Sequence, residues 1–310
     1  MFKNLIVYRI TPGWNASVAD MEDALAPAVF VECGASQQQS AGWVPPRGQA
    51  HGALVESVAG QRIVKLQIET RAVPASVVRR KAEDEAAHIE ATTGRKPGKK
   101  QMKELREDAL LALLPQAFTR QSAVLVWIDA DAGLLLTDAG TQARADLVTT
   151  ELIKGLPGLS LSLLQTAESP QTMMTRWLNA ESPAEWPANW SVERECELKS
   201  ADEEKSVVRF TRHNLQNDEV RQHIAQGKLP TRLALSWNGR VALVLTEGLQ
   251  LKKISFLEGV MDETAASGDD RFDADVAIST GELGKLLPEL IEALGGELAM
   301  GAPASTAPPA

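Results

Sequence analysis

The chain has 310 residues, 44% hydrophobic and 24% charged, with 32 Lys and Arg against 41 Asp and Glu, a net charge of -9 and a pI near 5.1. That length buries a substantial core and is enough for about two domains, and the lack of any run of about 20 apolar residues excludes a helical membrane span. Two isolated cysteines, Cys33 and Cys196, make neither a disulfide framework nor a structural zinc site and read as buried, reduced thiols.

Residues 4–10 read as a strand. The opening Met1-Phe2-Lys3-Asn4-Leu5 has no signal-peptide pattern, so a cytoplasmic location is expected. Ser17 and Asp20 have capping-box spacing and open a short helix with Val18, Met21 and Leu25 on one face. Trp43-Val44-Pro45-Pro46, with glycines around it, reads as a structured loop. In 62–68, Val64, Leu66 and Ile68 alternate, which predicts a half-buried strand.

Over 75–114 the period changes. Val78, Ala82, Ala86 and Ile89 recur at helical spacing, as do Met102, Leu105, Ala109 and Leu113. Between them runs Thr93-Gly94-Arg95-Lys96-Pro97-Gly98-Lys99-Lys100, a basic loop rich in helix breakers. The pattern predicts a helical hairpin, charged outside with small residues in its seam, able to project as an arm. Pro115 ends its second helix and Phe118 follows.

Two strands are expected over 122–137 and a helix over 141–155, then a surface connection rich in Pro, Trp and Glu over 181–197. Strand 206–210 leads into Thr211-Arg212-His213-Asn214; Asn217 caps a helix with Val220 and Ile224 inward, closed by Gly227. The clearest local signal is Asn238-Gly239 between the alternating sets Leu233, Leu235, Trp237 and Val241, Leu243, Leu245, which marks a two-residue hairpin. A strand over 250–256 extends this meander. Residues 275–279 read as a strand and 281–294 as a helix, kinked at Pro288, with Leu283, Leu287, Leu290 and Leu294 on one stripe. The Ala/Pro-rich end, 299–310, reads as disordered.

Interleaved helices and prominent hairpins argue for an α+β fold with mostly antiparallel sheets and the projecting hairpin. The expected division is a central α+β region over 1–74 and 119–180, the arm over 75–118, and a second α+β region over 181–298.

Chemical motifs are sparse. Gly94 to Lys99 fails as a phosphate loop: its glycine spacing is wrong, no Ser or Thr follows the lysine, and no strand precedes it. Asp269, Asp270, Asp273 and Asp275 lack the central glycine and distal Glu of a calcium loop, so turn and capping roles are expected. His51, His88, His213 and His223 show no ligand spacing, and neither a nucleophile elbow nor a dinucleotide fingerprint occurs. The chain reads as a non-enzyme that uses no cofactor and no metal. A metal-dependent nuclease using Asp129, Asp131, Asp273 or Asp275 and a protein-interaction scaffold with incidental DNA contact are the alternatives. An acidic total does not exclude nucleic acid, because binding depends on where Lys and Arg cluster. Candidates are Arg209, Arg212 and His213 after a strand, Lys228 and Arg232 beside the next hairpin, and Arg71, Arg79, Arg80 and Lys81 at the base of the arm. Such residues hold phosphates without reading sequence.

Several phrases recur together and in order: Phe2-Lys3-Asn4-Leu5-Ile6-Val7-Tyr8-Arg9, Gly42-Trp43-Val44-Pro45-Pro46, Leu113-Leu114-Pro115-Gln116-Ala117-Phe118, Trp127-Ile128-Asp129, Arg271-Phe272-Asp273-Ala274-Asp275 and Leu290-Ile291-Glu292-Ala293-Leu294-Gly295-Gly296. Over roughly 1–296 the chain thereby resembles the RdgC family of bacterial recombination-associated DNA-binding proteins. The resemblance implies a ring-shaped homodimer that encircles duplex DNA without sequence preference, associates with the nucleoid, and restrains recombinase loading; single-stranded DNA is a further candidate ligand. It implies that arm tips meet across the ring around Leu114, Ala117 and Phe118, with Phe118 as apolar anchor. It places a DNA-contacting pair at Arg212 and His213, where relatives often carry Lys-Gln, and Gln116 replaces a basic residue of relatives.

Overall fold

The computed structural model describes residues 2–257, 259–260 and 269–298. The Ala/Pro-rich end read as disordered lies outside the described residues. Among the described residues, twelve strands form two sheets, and every pairing between these strands is antiparallel.

The first sheet contains β1 (Ile6–Ile10), β2 (Gln39–Val44), β3 (Val55–Val58), β4 (Gln61–Arg71), β5 (Thr119–Asp129), β6 (Leu134–Thr137) and β7 (Leu161–Leu163). Its order is β2-β4-β5-β6-β1-β7, with β3 sharing the β2 edge of β4. Trp43 and Val44, expected in a loop, are the end of β2. Alternation gives this sheet two apolar faces. Ile6, Tyr8, Val64, Leu66, Ile68, Val124 and Val126 meet α1 (Val18–Leu25) and α4 (Gln142–Gly155), while Val7, Ile63, Trp127, Leu134 and Leu136 face the other way. Helix α1 opens with the expected capping box: Ser17 Oγ accepts from the Asp20 amide, and the Asp20 carboxylate accepts from the Ser17 amide.

The second sheet runs β12 (Leu251–Phe256), β11 (Val241–Thr246), β10 (Lys228–Trp237), β8 (Trp190–Ser200), β9 (Val207–Thr211). Its inner face, with Cys196, Leu198, Leu233, Leu235, Trp237, Leu243 and Leu245, packs on α5 (Pro170–Asn179), α6 (Asp218–Ala225) and α7 (Asp269–Ala293) in the same core as the second face of the first sheet. Asn238 and Gly239 take the left-handed conformation, φ 50° and 62°, that the hairpin turn requires.

Two expectations fail here. The segment 181–197 is not all surface connection, because β8 begins at Trp190 and lies between β10 and β9. Its charges hid it: Glu193, Arg194, Glu195, Glu197 and Lys199 point outward or along the edge, while Cys196 and Leu198 are buried. Residues 275–279 are not a strand but part of α7, where Val276, Leu283, Leu286, Leu287, Leu290 and Leu294 form one buried stripe at helical spacing. The short apolar run Val276-Ala277-Ile278 does not itself distinguish strand from helix. Pro288 does lie inside this helix.

Between β4 and β5, α2 (Ala75–Thr93) and α3 (Lys99–Leu113) pack on each other as the spacing predicted. Each buries a single residue, Ala82 and Ala109, the small side chains that let the helices approach.

Candidate nucleic-acid interface

The outer face of the second sheet follows from alternation in its strands. With Leu233, Leu243, Cys196 and Leu198 turned inward, Arg232, Glu197 and Arg209 must face out. The strand register sets Arg209 opposite Glu197, Glu197 opposite Arg232, and Arg232 opposite Thr246. Arg209 and Arg232 therefore stand about 10 Å apart, two strand spacings, with one carboxylate between them.

Glu197 accepts from Arg209 Nε at 2.6 Å and from Thr231 Oγ1 at 2.9 Å. Burial works to raise its pKa, but those hydrogen bonds and the charges of Arg232 and Arg209 prevail, so the carboxyl titrates below its usual range and stays ionised. Beside this row, Lys199, Arg232 and Lys252 line a cleft of about 300 Å³ with Glu197 and Glu247. Three cations against two carboxylates leave this cleft one net positive charge in an acidic chain.

At the far end of β9, Arg212 is exposed with φ 54°, a left-handed backbone uncommon for arginine. His213 folds back: its amide donates to the Arg194 carbonyl at 3.1 Å, its ring lies 5.3 Å from that of Phe210, and Nε2 is 3.7 Å from a Glu219 oxygen. The pair therefore diverges, and Arg212 is the member turned to solvent. Lys228 lies opposite Ser200, five residues along β8 from the Glu195–Thr211 pair that precedes Arg212. That separation is about 16 Å, so Lys228 and Arg212 mark opposite ends of the sheet.

Arg79, Arg80 and Lys81 are on the first two turns of α2, away from that sheet in sequence and element; Arg79 lies 4.0 Å from Glu83. Arg71 is occupied structurally. It donates through Nη1 to the Leu114 carbonyl at 3.2 Å and through Nη2 to the Cys33 carbonyl at 3.3 Å. The Cys33 amide donates to Glu69 at 2.9 Å, and this bond leads in holding the buried Glu69 carboxyl below its usual range.

The segment expected where arm tips meet is at the hairpin's base. Leu114 to Gln116 form a 3-10 turn after α3, directly before β5, and Thr119 pairs with Arg71 at the end of β4. The tip is instead the loop from Gly94 to Gly98. Leu114 is fully buried, Ala117 is half-buried and Phe118 is 94% exposed. Only Phe118 presents a large apolar surface here.

Two of the acidic candidates, Asp273 and Asp129, are engaged elsewhere. Asp273 accepts from Arg47 Nη2 at 2.6 Å, Arg47 also lies 3.0 Å from Glu56, and its guanidinium sits 4.7 Å from the centre of the Phe272 ring. Asp129 caps the β5–β6 turn by accepting from the Ala132 amide at 2.9 Å. Among the described residues, no three His, Cys, Asp or Glu side chains gather to hold a metal ion. No helix among them is long and apolar enough to cross a membrane. Both cysteines are free and buried, and burial pushes the Cys196 thiol up to about 12.

Sequence reasoning missed Lys199 and Lys252 as members of the basic cleft. The alternation Cys196, Leu198, Ser200 was the available signal, masked by its charged neighbours.

A family model described as "Putative exonuclease, RdgC" matches residues 1–297. The chain is 42% identical over 303 residues to the recombination-associated protein RdgC of Dechloromonas aromatica, covering 96% of this chain and 98% of that one. It is similar to the proteins of the same name from Herminiimonas arsenicoxydans, 42% identical over 301 residues with 96% and 99% covered, and Bordetella pertussis, 38% identical over 299 residues with 96% and 98% covered.

Proposed function

The chain belongs to the RdgC family, and we propose that it is a sequence-independent DNA-binding protein that acts in recombination as a homodimer encircling duplex DNA. The observation that carries this reading is the outward basic row of the second sheet, Arg209 and Arg232 about Glu197, continued by Lys199 and Lys252. A sheet face offers cations to phosphates but no helix to enter a major groove, which suits backbone contact without base readout. Arg212 adds a cation at the sheet's end. In this reading 1–74 with 119–180 and 181–298 form the body, 75–118 is the arm, and Phe118 anchors the dimer contact as an exposed aromatic.

Encirclement slows dissociation without strong base contacts, and the bound ring blocks a recombinase filament. The protein would then sit on the nucleoid. The test is binding to a random linear duplex, the same duplex as a closed circle, and single strands, across a salt titration. Binding to all sequences that falls steeply with salt and lasts longer on the circle is expected. Absence of binding at low salt rejects the reading in favour of a protein-interaction scaffold.

The family's own description favours a second reading, an exonuclease. Incubation of linear and nicked duplex with magnesium or manganese distinguishes it: release of nucleotides supports the exonuclease, and intact DNA rejects it.

A further inference from the structure

The loop between β1 and α1 and the loop between α4 and β7 face each other across an open cleft of about 750 Å³, a size typical of ligand sites. The Thr11 amide joins the two loops by donating to the Ser160 carbonyl at 2.9 Å. Arg62, which does not line the cleft, steadies the first loop by donating to the Ala16 carbonyl at 2.6 Å. The cleft lies on the α1 and α4 side of the first sheet, away from the face that shares a core with the second sheet. Pro12, Trp14, Leu156 and Pro157 supply its apolar wall, Asp20 and Asp23 of α1 supply its charge, and no Lys, Arg or His lines it.

Folding leaves two groups of this cleft unused. Asp23 is exposed and forms no hydrogen bond or ion pair among the described residues. The Trp14 indole Nε1 is shielded from solvent and has no acceptor, although a shielded indole N–H normally finds one. Asp20 does serve the fold as the capping-box carboxylate, and its hydrogen bonds from Ser17 hold its carboxyl below the usual range, so it stays ionised. Three residues apart on one helix, Asp20 and Asp23 are neighbours on one face and set two negative charges beside an aromatic wall.

We infer that this cleft docks a basic, proline-containing peptide segment of a partner protein, with Trp14 as its aromatic wall and Asp20 and Asp23 as its counter-charge. Each part of the cleft matches one part of such a segment. Proline-rich chain adopts an extended helix with no internal hydrogen bonds, so its rings stack on aromatic walls and its carbonyls remain free for a donor such as an indole N–H. An Arg or Lys in the segment meets the carboxylates in charge-assisted hydrogen bonds. Nucleic acid does not fit, because both carboxylates repel phosphate. A small molecule does not fit either, since small-ligand sites bury most of the ligand and this cleft opens to solvent between two surface loops. The chain's own Pro303, Pro308 and Pro309 stand in a segment, 299–310, without a single Lys or Arg, so charge complementarity favours a separate partner.

The test measures fluorescence anisotropy of a labelled Arg-Pro-Pro-Arg-Pro-Pro-Arg peptide with the full chain, beside the same peptide with Glu in place of each Arg. The Arg peptide should bind and the Glu peptide should not. Asp23→Lys, which reverses a charge that the fold does not use, should weaken binding on the order of 10-fold. Trp14→Phe, which keeps a ring and removes the N–H, should weaken it about 2–10-fold, the worth of one hydrogen bond. Both variants should melt at the wild-type temperature or above it, so a loss of binding is not a loss of fold. No binding by the wild-type chain up to about 1 mM peptide, or equal binding by all three chains, overturns the proposal. Binding that appears only when Pro303, Pro308 and Pro309 are replaced by Gly in the full chain assigns the cleft to the chain's own end and overturns the partner. An Asp23→Lys chain that changes its oligomeric state in sedimentation assigns the cleft to a second copy and overturns it as well.

Discussion

Arg71 and Leu114 are joined by a 3.2 Å hydrogen bond from Nη1 to the carbonyl, and this bond closes the base of the helical hairpin. The same guanidinium holds the Cys33 carbonyl, so one side chain ties β4, the end of α3 and the segment before β2. An arginine that sequence reading offers to DNA is thereby spent on the fold.

Arg71→Ala leaves the Cys33 carbonyl without its guanidinium donor, while the Leu114 carbonyl keeps the Ala117 amide at 3.0 Å, at a cost of about 1–3 kcal/mol. Thermal unfolding should shift down, and amides in the last turn of α3 should exchange faster than those of central β4 and β5. An unchanged melt and unchanged exchange would show that water replaces the guanidinium.

Phe118 and Leu114 separate assembly from stability. Phe118→Ser removes a ring that is 94% exposed, so the melting temperature of the protomer should hold while sedimentation equilibrium shifts from dimer toward monomer. Leu114→Ala empties a fully buried site and should cost about 2–5 kcal/mol. A Phe118 variant that remains fully dimeric takes Phe118 out of the interface.

Arg212 sits in a left-handed backbone, φ 54°, which glycine adopts without penalty. Arg212→Gly should therefore leave stability equal or raise it by up to about 1 kcal/mol. It should weaken DNA binding for all sequences alike and lower the salt slope by about 0.9. A loss confined to one sequence would point to base readout instead.

Arg240 grips Glu282 with two 2.8 Å hydrogen bonds, holding α7 against the β10–β11 turn. Those bonds hold the Glu282 carboxyl below its ordinary value of 4.5. A carboxyl depressed in the folded state binds its proton more readily when unfolded. Its contribution is thus complete above about pH 4.5 and lost as pH falls through the lower folded value. Because Arg240 is 42% exposed, solvent screening limits the effect to about 1 kcal/mol. Glu282→Gln should be less stable at pH 7 in urea melts, with the deficit shrinking below pH 4. An equal deficit at both pH values would assign it to packing alone.

Period and turn chemistry were legible wherever one residue's neighbours in sequence decide its state. The capping box at Ser17 and Asp20, the Asn238-Gly239 turn and the two helices of the hairpin with their alanine seam all appear where local spacing places them. The charged strand β8 and the first half of α7 did not, because their apolar residues are too few or too short a run to declare a period without the partner surface.

For the site, the sequence by itself determined the inventory: Arg209, Arg212 and Arg232 as cations near strand ends, Phe118 as an aromatic after a helix, and a basic hairpin loop. The family phrases pointed to DNA where an acidic composition pointed away. Only the tertiary structure decided which of these act together. Antiparallel register, set by residues far apart in the chain, places Arg232 and Arg209 on either side of Glu197. Chain closure at the base of the hairpin puts Phe118 there rather than at the tip, and turns Arg71 inward to the Leu114 and Cys33 carbonyls. Alternation reveals which face a side chain takes, but which strand lies beside it depends on how distant segments bury their apolar faces together.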